Sequence, residues 1–316
     1  MMKDLLKHTI ACRIAGCLAA FCLTFVSCTS TVDDGLQDSR AITFTPAADT
    51  RAAVTGSEDM GDFQVWGWYG GDGTAAPNNV FDGTVVYKDA GWNYTDGVRY
   101  WKAGETYNFY AVYPTDVKAN VSSDGTITVT NFDCSKTGTE AVDLMTATAT
   151  GNGSNPAPVA LTFNHELAKV NVNIRTEEST ATVVDATMWG IGYRGNFSKS
   201  NGNAQWEILT QATEESSPFT RTKEATIDKL GIPLLNEMLL PPQDITNTQG
   251  ATIYVSYRYT GDNVPTEKEV TLPAITWAAG KSYTYTLTIE PDGRIHFDPP
   301  TINKWGEAQG GIIIVA

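Results

Sequence analysis

Four stretches of this chain alternate apolar and polar side chains with a period of two. They are Tyr107, Phe109, Ala111 and Tyr113; Val170, Val172 and Ile174; Ile253, Val255, Tyr257 and Tyr259; and Tyr283, Tyr285, Leu287 and Ile289. A β-strand sends successive side chains to opposite faces, so this spacing gives each stretch one apolar face; a helix would scatter the same residues around its axis. Thr, Val, Tyr, Phe and Trp dominate the patterned segments from Asp62 onward, and these residues fit a pleated surface. Asp-Gly pairs stand where hairpins need them. Asp96-Gly97 separates Trp92 and Tyr94 from Val98 and Tyr100, Asp124-Gly125 precedes Ile127 and Val129, and Asp292-Gly293 separates Leu287 and Ile289 from Ile295 and Phe297. Such a pair supplies the positive φ angles of a two-residue turn. Only 227–240 has room for a helix, and Pro233 limits it to a short piece. The expected fold class is all-β.

An internal repeat points to two related domains. Trp101, Ala103, Gly104, Tyr107 and Phe109 recur at the same spacing as Trp277, Ala279, Gly280, Tyr283 and Tyr285. The stretch 150–158, rich in Gly, Asn and Pro, reads as the boundary between them. The expected organisation is 1–27 as a signal segment, 28–51 as a tether with a first strand, 52–155 as one β-domain and 156–316 as a second.

The beginning of the chain reads as an export signal. Lys3, Lys7 and Arg13 precede an uncharged apolar run that ends at Val26-Ser27-Cys28. The run suits a secretory signal and is too short to span a bilayer. A small residue just before a Cys resembles the lipobox of bacterial lipoproteins, although Phe25 stands where Leu is usual; an ordinary signal peptide is the alternative. The resemblance implies cleavage before Cys28 and acylation of its thiol. Cys12, Cys17 and Cys22 would be lost, leaving Cys134 without a partner for an intramolecular disulfide. Removing Lys3, Lys7, Arg13 and Asp4 from the 22 basic and 36 acidic residues leaves 19 and 35, a formal charge of −16. A nucleic-acid backbone is a poor partner for such a chain.

Catalytic and metal-binding patterns are scarce. His165 and Glu166 begin like a zinc-protease helix motif, but Lys169 stands where the second His would have to be. The expectation is therefore no metal, no cofactor and no enzyme, with carboxylates brought together by folding as the hydrolytic alternative. Trp66 and Trp68, in Phe63-Gln-Val-Trp-Gly-Trp-Tyr69, admit two readings. One is a stacking platform for a sugar. The favoured one is a central strand buried on both faces.

Taken in order, the motifs resemble the fimbrillins, the type V pilin-like surface lipoproteins of the Bacteroides group. The likeness rests on Cys28, Ile42-Thr-Phe44-Thr, Thr50-Arg51-Ala52, Tyr100-Trp101, Ala111-Val-Tyr-Pro114, Phe163-Asn-His-Glu-Leu-Ala-Lys-Val170, Leu239-Leu-Pro-Pro-Gln243, the Trp277 repeat and Trp305. It implies two transthyretin-like β-sandwiches in tandem and a pilus formed by strand exchange. By that resemblance an arginine-specific protease cuts after Arg51, and the strand holding Ile42 and Phe44 leaves. A neighbouring subunit then fills the groove with Ile312, Ile313, Ile314 and Val315. Those four residues read equally well as a core strand of their own domain. The implied partners are other pilin subunits, the protease, and the outer membrane through the lipid before maturation on the cell surface. A non-polymerising surface lipoprotein that binds a glycan or host ligand is the alternative function.

Cys28→Ala should abolish fatty-acid incorporation and leave unprocessed precursor. Radiolabelled palmitate in cells reads this directly, and normal labelling of the variant would refute the lipobox assignment.

Overall fold

The computed structural model describes residues 40–48, 60–71, 76–177, 180–245 and 250–305. Among these the fold is all-β, with a single turn of 3-10 helix at Gly138–Glu140. In chain order the first strands are β1 Phe44–Ala48, β2 Phe63–Tyr69, β3 Asn78–Lys88, β4 Trp92–Tyr94, β5 Thr106–Tyr113, β6 Ala119–Val121, β7 Ile127–Asp133, β8 Met145–Asn152 and β9 Val159–His165. Then follow β10 Ala168–Thr176, β11 Ala181–Trp189, β12 Gly192–Ser200, β13 Asn203–Gln211, β14 Thr220–Arg221, β15 Ala225–Ile227 and β16 Ile232–Leu240. The last are β17 Thr252–Tyr259, β18 Thr266–Thr271, β19 Lys281–Ile289, β20 Ile295–Phe297 and β21 Thr301–Lys304.

These strands form a seven-stranded sheet ordered β1-β9-β8-β5-β2-β3-β4 and three smaller sheets. The smaller ones are β16-β10-β19-β20 with β21 also on β19, β14-β11-β17-β18 with β15 also on β11, and β13-β12-β7-β6. Two apolar cores result. The first is enclosed by the seven-stranded sheet and holds Ile42, Phe44, Phe63, Phe81, Phe109 and Phe163. The second is enclosed by the other three sheets and also takes Trp66, Trp68 and Val112 from the outer face of β2 and β5. β2 thus has core on both sides: Phe63 and Val65 face the first, Trp66 and Trp68 the second.

The strands do not divide at 155/156. The stretch 150–158 connects β8 to β9 within one sheet. Its glycines are there for close approach. A Cβ on Gly153 would lie 1.9 Å from the carbonyl oxygen of Lys102, and Gly153 N–H donates to Glu105 O at 2.9 Å. In the other direction, β7 pairs antiparallel with β12, so 119–134 packs in the second core.

The segment expected to have room for a helix, 227–240, is a turn and a strand. The Asp228 carboxylate accepts from the N–H groups of Leu230 and Gly231, and Gly231 turns at φ +78°. β16 then runs along the edge of its sheet, laddered to β10 and bridged on its other side at Met238 to Thr137, and an edge strand is where a residue such as Pro233 is tolerated. Two of the Asp-Gly turns join their hairpins: Val121 pairs Ile127 across Asp124-Gly125, and Ile289 pairs Ile295 across Asp292-Gly293. At the third, Asp96 and Gly97 do take positive φ (+70° and +84°), but the chain beyond them leaves β4, and Tyr100 bridges Ala41 instead.

The sequence repeat is a structural repeat. In each copy the Trp is buried, the Gly turns at positive φ, and the Tyr hydroxyl accepts the N–H of the residue after the Trp. The distances are 2.8 Å for Lys102 N to Tyr107 and 2.9 Å for Ala278 N to Tyr283. Tyr107→Phe and Tyr283→Phe should each lower stability by about 0.5–1.5 kcal/mol. Urea unfolding should show a lower midpoint at unchanged slope; an unmoved midpoint would mean the hydroxyl contributes nothing.

Candidate functional site

The first core is assembled around residues 40–48. Ile42 is 0% exposed and Phe44 3%. The Phe44 ring meets four aromatic neighbours at an angle, with centroids at 5.3 Å (Phe81), 5.9 Å (Phe109), 6.0 Å (Tyr94) and 6.5 Å (Phe63). Edge-to-face packing places the positive ring edge on a neighbour's negative face and adds ~0.5–1.5 kcal/mol per pair to the burial itself. On one side β1 pairs parallel with β9, from Phe44 opposite Val159 to Ala48 opposite Phe163. On the other side the chain just before β1 pairs with 99–101: Ile42 N donates to Arg99 O (2.8 Å) and Trp101 N to Arg40 O (2.9 Å). Since 99–101 follows β4, these bonds join the two edges of the seven-stranded sheet and close it on itself.

Tyr94 and Arg99 hold this closure. The Tyr94 hydroxyl donates to Ile42 O (3.1 Å) and accepts from Arg99 N (2.9 Å). Burial pushes that hydroxyl's pKa up. The Arg99 guanidinium lies over the rings of Phe81 and Tyr94 at 5.0 and 5.7 Å and donates to the carbonyls of Val80, Thr95, Asp96 and Gly97. Arg40 is held too, its guanidinium donating to Trp101 O at 2.6 Å. Neither Tyr94 nor Arg99 stands out in sequence. The Asp96-Gly97 turn marks their neighbourhood but misdirects the pairing.

Trp66 and Trp68 do not form a stacking platform. They are 5% and 9% exposed, packed in the second core, which corrects the sugar-stacking reading of these indoles. Gly83, at φ +67°, lets β3 pass close to Trp66; a Cβ there would sit 3.2 Å from the indole. Cys28, Arg51, Ile312, Ile313, Ile314 and Val315 lie outside the described residues.

The His-Glu-Leu-Ala-Lys stretch separates its polar groups. His165 bonds Asp143 at 2.6 Å and stacks on Trp305, with centroids at 4.2 Å and planes within 6°. Burial pushes the Asp143 carboxyl up, and the His165 hydrogen bond opposes that rise. Glu166 meets Lys199 and the Thr146 hydroxyl, each at 2.5 Å, while Lys169 meets Glu237 at 2.9 Å. Leu167 enters the second core. Each charge therefore has its own partner, and among the described residues no group of three or more His, Cys, Asp or Glu side chains is placed to hold a metal ion. Cys134 is buried, and burial pushes its thiol well up, so it is a packed side chain and not a nucleophile. No helix among the described residues is long and apolar enough to cross a membrane.

A closed first sandwich completed by the chain's own leading strand, followed by a second sandwich that shares its waist, defines a class of tandem β-sandwich proteins. The model of the family described as fimbrillin-like matches residues 50–305, and the chain belongs to that family. Several solved structures are similar in fold. A candidate cell adhesion protein of Bacteroides ovatus superposes with a TM-score of 0.54 at 16% identity, over 84% of this chain and 98% of that one. A candidate cell adhesion protein of Bacteroides uniformis gives 0.52 at 15%, over 84% and 98%. A fimbrial protein of Bacteroides vulgatus gives 0.51 at 16%, over 84% and 99%. At such identities the likeness speaks for the fold alone. No curated protein matches the chain.

Phe44→Ala should destabilise the first core by about 3–5 kcal/mol. Thr45→Ala, on the exposed side of the same strand, should be near neutral. Hydrogen exchange of β5 and β8 amides reads both, and equal protection in the two variants would contradict the central place given to Phe44.

Proposed function

We propose that this chain is an exported structural subunit of a surface fimbria, supporting adhesion, and that subunits join by exchange of the strand bearing Ile42 and Phe44. The observation that carries the reading is that this strand completes the first core, with Ile42 and Phe44 buried against rings from β2, β3, β4 and β5. It is held between β9 and 99–101 by backbone pairing, core packing and the side-chain hydrogen bonds of Tyr94 and Arg40. Once it is gone, the rings of Phe63, Phe81, Phe109 and Phe163 would face water and the edge of β9 would be unpaired. Such a groove takes up a strand readily. Refilling it with Ile- or Val-sized side chains returns roughly 1.5–3 kcal/mol for each one buried, less the cost of ordering the donor.

The arginines support Arg51 as the processing site. Arg40 and Arg99 are tied by the hydrogen bonds that close the sheet, and a protease needs an extended, unpaired segment. Arg51 stands three residues beyond the end of β1. Ile312, Ile313, Ile314 and Val315 of a neighbour are the proposed donor. The described chain ends at Trp305, stacked on His165, two residues past the partner of Ala48 in β9. In this reading the protein works by binding its own kind, without catalysis or cofactor, first as an outer-membrane lipoprotein anchored through Cys28 and then in the fimbria.

Arginine-specific protease acting on the folded protein should leave a stable fragment beginning at Ala52. Displacing the cut strand should lower its melting temperature, and a peptide of residues 310–316 should restore it. A fragment beginning at Ala41, or a cut protein indifferent to the peptide, would refute strand exchange.

A further inference from the structure

Where the two sandwiches meet, a trough of about 940 Å³ opens on the side away from the first core. That volume lies at the upper end of the ~300–1,000 Å³ range of ligand pockets. Its floor is the outer face of β5 and β8, where Asn108 stands opposite Thr150 and Tyr110 opposite Thr148. Its walls are two hairpin turns, one at Asp124-Gly125 and one at Asn201-Gly202. The two turns come from different parts of the chain and are brought together because β7 and β12 are neighbours in one sheet.

The chemistry of the trough is specific. The side chains of Asn108, Thr148, Thr150 and Asn201 make no hydrogen bond with other described residues, so their amides and hydroxyls are free to donate and accept. The charges present are already engaged. The Asp124 carboxylate accepts from the Ser122 hydroxyl and Thr126 N–H at 2.5 and 2.9 Å, and at the deep end Lys199 is bound by Glu166 and Thr146 at 2.5 and 3.0 Å. The half-buried ring of Tyr110 lines the trough, together with the His165 imidazole, which is already stacked on Trp305. Neutral groups that both donate and accept match vicinal hydroxyls, which do the same, and an aromatic ring accepts the weakly positive C–H face of a pyranose on its negative face. An anionic ligand would find no free counter-charge, because Lys199 is already paired with Glu166.

We propose that this trough is a binding site for a neutral oligosaccharide. The site uses none of the residues of the strand-exchange groove and stands whether or not subunits polymerise. It gives the protein a ligand surface at the waist, in place of Trp66 and Trp68, whose indoles are buried.

Saturation-transfer NMR on the full chain tests it, with lactose, N-acetyllactosamine, mannotriose, maltotetraose, cellotetraose and xylotetraose as neutral probes. 3′-Sialyllactose serves as the charged probe and a peptide of residues 310–316 as the polypeptide probe. At least one neutral saccharide should respond. Its affinity should fall about tenfold in the Asn108→Ala/Thr150→Ala double variant, as expected for the loss of two hydrogen bonds. It should fall also in Asn201→Ala, on the separate hairpin wall, and be unchanged in Leu230→Ala, an exposed position on another turn. The proposal is overturned if no neutral saccharide binds, if binding is the same in the trough variants, or if only the charged probe or the peptide responds to them.

Discussion

The hydrogen bonds between 40–42 and 99–101 determine whether the first sandwich exists as a closed body. β1 and β4 are the two ends of a seven-stranded sheet, and nothing in the sheet's own ladder brings them together. A sheet with Phe63, Phe81, Phe109 and Phe163 on its inner face must still keep those rings from water. The chain solves this by laying its leading strand into the gap, pairing it with β9 on one side and with the segment after β4 on the other. Phe44 then sits among the rings, and Tyr94 and Arg99 fasten the backbone around it. The same arrangement that completes the core is the one a strand-exchange mechanism would exploit, because the completing element is joined to the rest by non-covalent contacts along its whole length.

The two sandwiches share a device and differ in assembly. Each uses a buried Trp, a positive-φ Gly and a Tyr hydroxyl bonded back to the backbone to turn the chain into a central strand, β5 in one and β19 in the other. The first core lies inside one curled sheet. The second draws strands from three sheets and takes β6 and β7, Trp66, Trp68 and Val112 from the first half of the chain. The waist is therefore shared apolar core and not a linker. Its polar groups follow the same logic: Asp143 bonds His165 and Glu166 bonds Lys199, so each buried carboxyl group has its own specific partner.

The period-two pattern was sufficient to place β5, β10, β17 and β19, because alternation is a local property that survives any tertiary arrangement. The Trp-Gly-Tyr repeat was legible as a repeat because its hydrogen bond spans five residues. Trp66 and Trp68 carried two readings since a strand with aromatics on both faces needs a second layer to decide between them, and that layer comes from the distant second core. The helix-permissive segment 227–240 became β16 because β10 offered it an edge, which local propensity cannot anticipate.

What the sequence determined by itself is the all-β class, the turn chemistry at Asp124-Gly125 and Asp292-Gly293, the likeness to fimbrillins, and the absence of a paired-His zinc motif at 165–169. What only the tertiary structure decided is which edges meet. Asp96-Gly97 has the φ angles of a hairpin, yet Tyr100 bridges Ala41; the stretch at 150–158 has the composition of a linker, yet it joins two strands of one sheet. In both cases the local backbone is as the residues dictate. The partner is chosen by burial of rings that lie tens of residues away, and that non-local free energy has no imprint on the spacing of neighbouring residues.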